Sequence, residues 1–345
     1  MAVYVKDKDG SRVKVAGLGA QGPAGKSAYR YAAEGGFSGS EDQFAALLGS
    51  RSNPNLLDNW YFADPINQRG QTEYTGRGYT IDRWLHETTT AGVLVGPNGI
   101  SFSGQFDPDA FYFSQVIDVP KESLYGKTLT GSIMVDGKLY YGSVHVKDLW
   151  DDWESVLLAS SDKFGFYFQK TNEGMGGYFR VLLMYTHAAI ASHTVFQAVK
   201  LELGPMQTLA HQDAEGNWAL NDPPPNKALE LLKCQRYMVV LPNTGSRYAY
   251  IGCGASNSTT QASITIPVPS RMRALPTVTA TGTWSLSGYG KTITVPKSGT
   301  FTGTFYSANG VDILVSNVSG LTAHQFYALQ VNSDETAQLI LDANL

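Results

Sequence analysis

From Gly78 to Leu341 the sequence is a succession of short runs in which apolar and polar residues alternate. Each run is soon closed by a turn signal such as Pro97-Asn98-Gly99 or Asp136-Gly137. Alternation with a period of two places successive side chains on opposite faces of an extended strand, and runs this short leave little room for long helices. The first group of runs lies in residues 54–208: Gly78–Trp84, Gly92–Val95, Gly99–Phe102, Phe111–Val116, Leu129–Val135, Tyr140–Val146, Glu154–Leu158, Phe164–Gln169, Gly177–Met184 and Thr194–Leu203. The second lies in residues 241–345: Ser263–Pro267, Thr277–Thr281, Lys291–Val295, Gly303–Tyr306, Val311–Val315, Ala323–Val331 and Ala337–Leu341. The chain is therefore expected to be mainly β, with a sandwich or jelly roll followed by a second β-sandwich.

Composition agrees with this texture. The 345 residues include 36 glycines, 19 tyrosines and 15 phenylalanines, and only 16% are charged. Glycine closes turns and aromatics fill pleated surfaces. Asp and Glu outnumber Lys and Arg by 30 to 26, so there is no basic excess to neutralise phosphates and no nucleic-acid partner is expected. No apolar run approaches the roughly 20 residues of a membrane span, so no membrane insertion is expected. The opening MAVYVKDKDG lacks the apolar stretch of a signal peptide, and synthesis in the cytoplasm is expected. Cys234 and Cys253 are too few for a disulfide scaffold or a cysteine-only metal site. Both are expected to be reduced and partly buried.

The ends of the two groups read differently. Residues 1–16 place Val3, Val5, Val13 and Val15 around the turn Lys8-Asp9-Gly10-Ser11, a hairpin or extended arm. A lone two-stranded hairpin is marginal in water, so the arm is expected to pair with another chain or partner. Residues 17–53 form a joint and collar. Glycines 19, 22 and 25 follow a three-residue period, which is a collagen-like fragment serving as a linker or as a three-chain contact. Ala28, Tyr29, Ala32 and Ala33, then Phe44, Leu47 and Leu48 after a Ser40/Gln43 capping pair, predict two short helices with narrow apolar faces. Residues 209–240 form a linker. Asp213–Asn217 is a polar turn, Pro223-Pro224-Pro225 marks a boundary, and Lys227–Val240 reads as a helix with Ala228, Leu231, Leu232 and Met238 near one face.

No catalytic constellation has the required spacing. His86, His145, His187, His193, His211 and His324 are scattered without a helical pair, and each is read as structural. Lys26-Ser27 fails as a phosphate loop because Ala20 stands where the opening glycine is needed. The densest acidic group is Asp148-Leu149-Trp150-Asp151-Asp152-Trp153-Glu154. It reads as a surface loop or a sugar contact, with acids accepting from hydroxyls and an indole covering the apolar face of the ring. Glycoside hydrolysis by paired carboxylates is the third alternative, and adjacent loop residues suit its geometry poorly.

Several motifs occur in a recognisable order. Asn55–Phe62, Ile66–Gly70 and Gly78–Trp84 resemble the opening of the carbohydrate-binding-module-like jelly roll in tail fibres of bacteriophages and prophages of Gram-positive hosts. Ala198–Gly204 is similar to the strand that closes that domain, and Glu230–Tyr237 to the helix that follows it. Gly25–Phe44 looks like the insert these proteins carry after a collagen-like stretch, and Pro267–Val278 like the start of a strand in their tips. The resemblance covers residues 17–240. It implies a virion protein that assembles as a homotrimer, attaches through its N-terminus to a tail or baseplate protein, and presents a C-terminal tip to a bacterial cell-surface glycan. A structural fibre or baseplate spacer and a glycan depolymerase are the alternatives.

Within that frame Trp60, Tyr61 and Trp84 are expected in the core or at strand ends. Asp82 and Arg83 are expected to form a structural pairing with Asp58. The resemblance also implies a possible structural calcium near Asp58 and Glu202, and no other cofactor. The candidate glycan contacts are Trp150, Asp151, Asp152, Trp153 and Tyr178 in the first β domain, and Tyr248, Tyr250, Trp284 and Tyr289 in the second, beside glycine and serine turns. Receptor binding is expected in the terminal domain.

Overall fold

A computed structural model describes residues 3–6, 8–15, 27–35, 38, 40–41, 52–105, 112–172, 176–242, 246–288 and 290–344. The glycine triplets, the expected second short helix around Phe44–Leu48 and Tyr289 lie outside the described residues. The chain is mainly β and divides into two compact units, Met1–Arg51 and Ser52–Leu345.

In the first unit β1 (Val3–Lys6) and β2 (Arg12–Val15) form an antiparallel hairpin with Val3 opposite Val15 and Val5 opposite Val13. Gly10 in its turn has φ +81°, a conformation that favours glycine. Helix α1 (Ala28–Glu34) starts at Ser27, whose side chain accepts from the Arg30 amide at 3.3 Å, and ends at Gly35. None of its residues is buried.

The second unit opens with a sandwich. Its strands are β3 (Glu73–Thr75), β4 (Gly78–Tyr79), β5 (Leu85–His86), β6 (Ala91–Gly96), β7 (Gly99–Gly104), β8 (Tyr112–Val116), β9 (Thr128–Val135), β10 (Lys138–His145), β11 (Ser155–Ser160), β12 (Phe164–Lys170), β13 (Phe179–Tyr185) and β14 (Phe196–Leu203). One six-stranded sheet runs β10-β9-β14-β7-β6-β3 and the other β11-β12-β13-β8-β5-β4. Phe113, Phe166, Phe168 and Val181 of the second sheet meet Phe102, Ile133, Phe196 and Leu201 of the first in one core. Trp84 stacks on Phe113 at 4.9 Å and meets the edge of Phe62 at 5.0 Å, so it is a core residue as expected; Trp60 is buried too. The expected strand Gly78–Trp84 is corrected. Only Gly78–Tyr79 is strand, because the chain turns back at Ile81–Trp84, with Arg83 at φ +73° and the Trp84 amide bonded to the Ile81 carbonyl.

The two outer faces of the sandwich differ. On the first sheet, Lys200 and Glu202 point outward yet are only 1% and 0% exposed. Chain segments cover them: the Lys200 ammonium donates to Ser52 and Thr208, and Glu202 accepts from the Thr208 amide at 2.6 Å and from its hydroxyl. A hairpin of β15 (Ala210–Gln212) and β16 (Trp218–Leu220) also packs on this core through Trp218 and Leu220. The second sheet keeps part of its outer face open.

Besides the short α2 (His187–Ala191), the described residues of this unit include α3 (Lys227–Cys234), with the Asn226 side chain accepting from the Ala228 and Leu229 amides. It is shorter than the expected helix Lys227–Val240. The chain turns at Gln235–Tyr237, and the β-branched Val239 and Val240 enter β17 (Met238–Leu241), so the expected boundary at residue 241 falls inside a strand. The remaining strands are β18 (Tyr250–Ser256), β19 (Ala262–Pro267), β20 (Thr277–Thr281), β21 (Trp284–Gly288), β22 (Lys291–Val295), β23 (Thr300–Tyr306), β24 (Gly310–Ser316), β25 (Phe326–Val331) and β26 (Gln338–Asp342). They form a three-stranded sheet, β17-β26-β20, and a seven-stranded sheet, β22-β21-β25-β18-β19-β24-β23, around a second core. Cys234 is buried and Cys253 exposed, which corrects the expectation of two partly buried thiols.

Candidate functional site

Trp153 is the one bulky aromatic of the acidic loop that the fold leaves in the open, 47% exposed. The loop turns tightly here. The Glu154 amide donates to the Asp151 carbonyl at 3.0 Å, the Trp153 amide to the Lys170 carbonyl at 3.1 Å, and Trp153 itself sits at φ +66°. A bulky residue in the left-handed region is strained, and such strain gathers at functional positions. The same turn sends Trp150 inward, where it is 8% exposed and meets Phe168 and Phe179 edge-on at 5.5 and 5.6 Å. Trp150 is thus a core residue, not an exposed contact.

Beneath Trp153 lies a pocket of about 160 Å³ on the open outer face of the second sheet. Its walls are Tyr79, Leu85, Val116, Trp153 and Tyr178, with Arg77 and Thr171 also lining it. Strand register supplies the polar floor. Arg180 lies opposite both Gln169 and Val116, and Ser114 opposite Leu85, so these side chains share one face. Arg180 donates from Nη1 to Glu87 at 2.7 Å and from Nε to Gln169 at 2.8 Å; the Ser114 hydroxyl donates to the same Glu87 oxygen at 2.8 Å. The Arg180 guanidinium carbon is 5.6 Å from the Trp153 ring centroid. Burial pushes the Tyr79 phenol up to about 12, so it stays protonated at neutral pH.

Tyr178 also walls a second recess, of about 360 Å³, lined by Asp118, Val119, Pro120, Lys121, Glu122, Gly176 and Arg273. Arg273 comes from the segment before β20. It donates to the Tyr178 hydroxyl at 3.2 Å and lies 3.9 Å from Asp118. The two recesses thus meet at Tyr178, at the junction between the sandwich and the C-terminal sheets, a common place for ligand sites.

Of the residues expected here, the structure brings Trp153 and Tyr178 to one pocket. Asp152 faces Lys170 at 3.3 Å and accepts from Asn172 at 3.0 Å, which ties it to the loop frame, and Asp151 is exposed. Tyr248 and Tyr250 are exposed on the C-terminal sheets. Trp284, expected to be accessible, is 2% exposed and donates its indole N–H to the Thr281 carbonyl at 2.8 Å; the start of β21 turns it into the core. Asp58 pairs with Arg83 at 3.2 Å as expected, while Asp82 instead accepts from Gln68. With Asp58 engaged by Arg83 and Glu202 by Thr208, the two possible calcium ligands hold separate partners. Among the described residues no three His, Cys, Asp or Glu side chains gather as a metal site.

Sequence reading missed Arg77, Tyr79, Glu87, Ser114, Gln169 and Arg180. One signal was available: Arg180 interrupts the apolar run Phe179–Leu183, and a charge inside a buried strand needs a partner. Comparison with known proteins gave no match to a family model, a curated protein or a solved structure.

Proposed function

We propose that the chain is a tail-fibre or receptor-binding protein of a bacteriophage or phage-like particle that holds a bacterial cell-surface glycan without breaking it. The pocket under Trp153 carries this reading. An indole and phenols offer faces to the C–H side of a sugar ring, and the Arg180–Glu87–Gln169–Ser114 network offers donors and acceptors to its hydroxyls. The network is already hydrogen-bonded, so little ordering cost falls on the ligand. The mainly β architecture adds support only by analogy with carbohydrate-binding modules.

The first unit supports assembly. A two-stranded hairpin and a seven-residue helix with no buried residue gain little stability alone, so we assign this end to attachment on a tail or baseplate protein and the working form to a homotrimer. Linked copies would raise the avidity of weak sites. One observation favours a second reading of where the receptor binds: Tyr248 and Tyr250 are 58% and 66% exposed on the C-terminal sheets.

The test uses the full-length chain on a printed array of bacterial glycans. Saturable binding lost in Trp153→Ala and Tyr178→Ala supports the sandwich site; loss in Tyr248→Ala and Tyr250→Ala instead moves it to the C-terminal sheets. Release of sugar fragments that disappears in Asp151→Asn would overturn the non-enzymatic reading. Light scattering should give three times the 37.4 kDa chain mass, and a monomer at micromolar concentration would remove the assembly proposal.

A further inference from the structure

Charge in the pocket under Trp153 is not balanced. Its lining holds two arginines and one carboxylate. Arg180 and Glu87 neutralise each other at 2.7 Å. Arg77 is exposed on the turn between β3 and β4, and among the described residues it makes no ion pair or side-chain hydrogen bond. A second group of the lining is also unanswered: the Thr171 hydroxyl is buried without a hydrogen-bond partner. Leaving a buried hydroxyl unpaired is unfavourable, and natural proteins keep few such groups without a reason.

We propose that this pocket takes a sugar unit bearing an anionic group, carboxylate or phosphate, with the anion on Arg77 and ring hydroxyls on Glu87 and Thr171. The inference rests on the saccharide reading above and adds the class of sugar. A guanidinium presents parallel N–H donors that match a carboxylate or phosphate two at a time. A neutral sugar would leave that cation unanswered, and a cationic ligand would be repelled by it. A simple aromatic anion would leave the Thr171 hydroxyl and the free acceptor capacity of Glu87 unused. The enclosed volume, about 160 Å³, lies below the roughly 300–1,000 Å³ of pockets for drug-sized ligands and suits a single ring between Trp153 and Tyr178.

The probe is an array of microbial oligosaccharides with three arms on the full-length chain: uronate-bearing, phosphate-bearing and neutral. Binding is expected in one or both anionic arms, with the strongest neutral glycan at least about tenfold weaker, and the preference should shrink as salt is raised. The arm that binds distinguishes carboxylate from phosphate. Arg77→Gln, a change at an exposed turn with no partner to lose, should bring anionic binding down to the neutral level and leave melting unchanged. Equal binding of neutral glycans, or a preference that survives Arg77→Gln, would overturn the anionic assignment while leaving the saccharide site standing. Binding in no arm would overturn the saccharide reading itself, and this inference with it.

Discussion

Arg83 of the sandwich lies with its guanidinium carbon 3.4 Å from the ring centroid of Tyr237, the residue that carries the chain from α3 into β17. The same side chain, 2% exposed, pairs through Nε with Asp58 at 3.2 Å and donates to the Val116 carbonyl at 2.9 Å. Tyr237 in turn donates its hydroxyl to Asp118. Nearby, the buried Glu230 of α3 accepts from the Asn59 amide at 2.5 Å. The segment after the three prolines is therefore a docked joint between the sandwich and the C-terminal sheets, with the tyrosine ring clamped by a charge.

Removing that charge is expected to be costly. Arg83→Ala leaves Asp58 without its partner and opens space over the Tyr237 ring. Asp58 keeps 24% of its side chain in solvent, so the cost is at most that of breaking a fully buried pair, about 3–5 kcal/mol. Tyr237→Phe keeps the ring under Arg83 and loses only the bond to Asp118, for about 1.5–3 kcal/mol. Urea denaturation of the two variants should rank them in that order.

A pH dependence follows from Asp82 beside this joint. Burial pushes its carboxyl up from 3.8 to about 6, against hydrogen bonds from Gln68 that favour the anion. A folded-state value above the unfolded one means that folding favours the protonated form. The associated stability is complete below about pH 4 and is lost as pH rises through about 6, a change on the order of 3 kcal/mol. Asp82→Asn cannot titrate, so the melting temperature of the wild type should fall relative to that of the variant between about pH 4 and 6. A constant difference across that range would contradict the shift.

The strands that alternate cleanly, such as Ser263–Pro267 and Val311–Val315, were legible because one face is buried and the other is not. Strand β18 was not. Its Gly252 and Gly254 break the pattern, and the reason lies across the sheet: a Cβ at Gly254 would come within 2.0 Å of the Ser263 carbonyl oxygen, and one at Gly252 within 2.5 Å of that of Thr265. Close approach to a neighbouring strand demands glycine and erases the strand signal. The site was half legible for a related reason. Trp153 and Tyr178 stand out as aromatics in loops, whereas Glu87, Gln169 and Arg180 become neighbours only through the pairing of β12, β13 and β8 and the loop after β5, which sequence spacing does not encode.

Backbone strain at Trp153 gives a test that needs no ligand. At φ +66° an alanine keeps the penalty of the left-handed region, about 1–2 kcal/mol, and a glycine does not. Both substitutions remove the same indole. Trp153→Gly should therefore unfold at higher denaturant than Trp153→Ala, the reverse of the usual order of these residues, while both lose glycan binding. The usual order would mean that the turn relaxes once the indole is gone.

Arg273 links the C-terminal sheets to the pocket wall through the Tyr178 hydroxyl at 3.2 Å. Its pairing with Asp118 is long, 3.9 Å, and Asp118 keeps Arg236 at 3.7 Å and the Tyr237 hydroxyl, so Arg273→Ala should cost little stability, about 1 kcal/mol or less. Its effect should fall on ligand length instead. On the proposed saccharide reading, a single sugar unit would occupy the recess under Trp153, whereas a longer chain would pass Tyr178, which both recesses share, into the one that Arg273 lines. Calorimetric titration should show Arg273→Ala weakening longer oligosaccharides by about tenfold, the loss of one good polar contact, and leaving the shortest ligands unchanged. Equal weakening at every length would mean that Arg273 acts only by holding Tyr178 upright, and Tyr178→Phe, which drops that bond and keeps the ring, should then reproduce it.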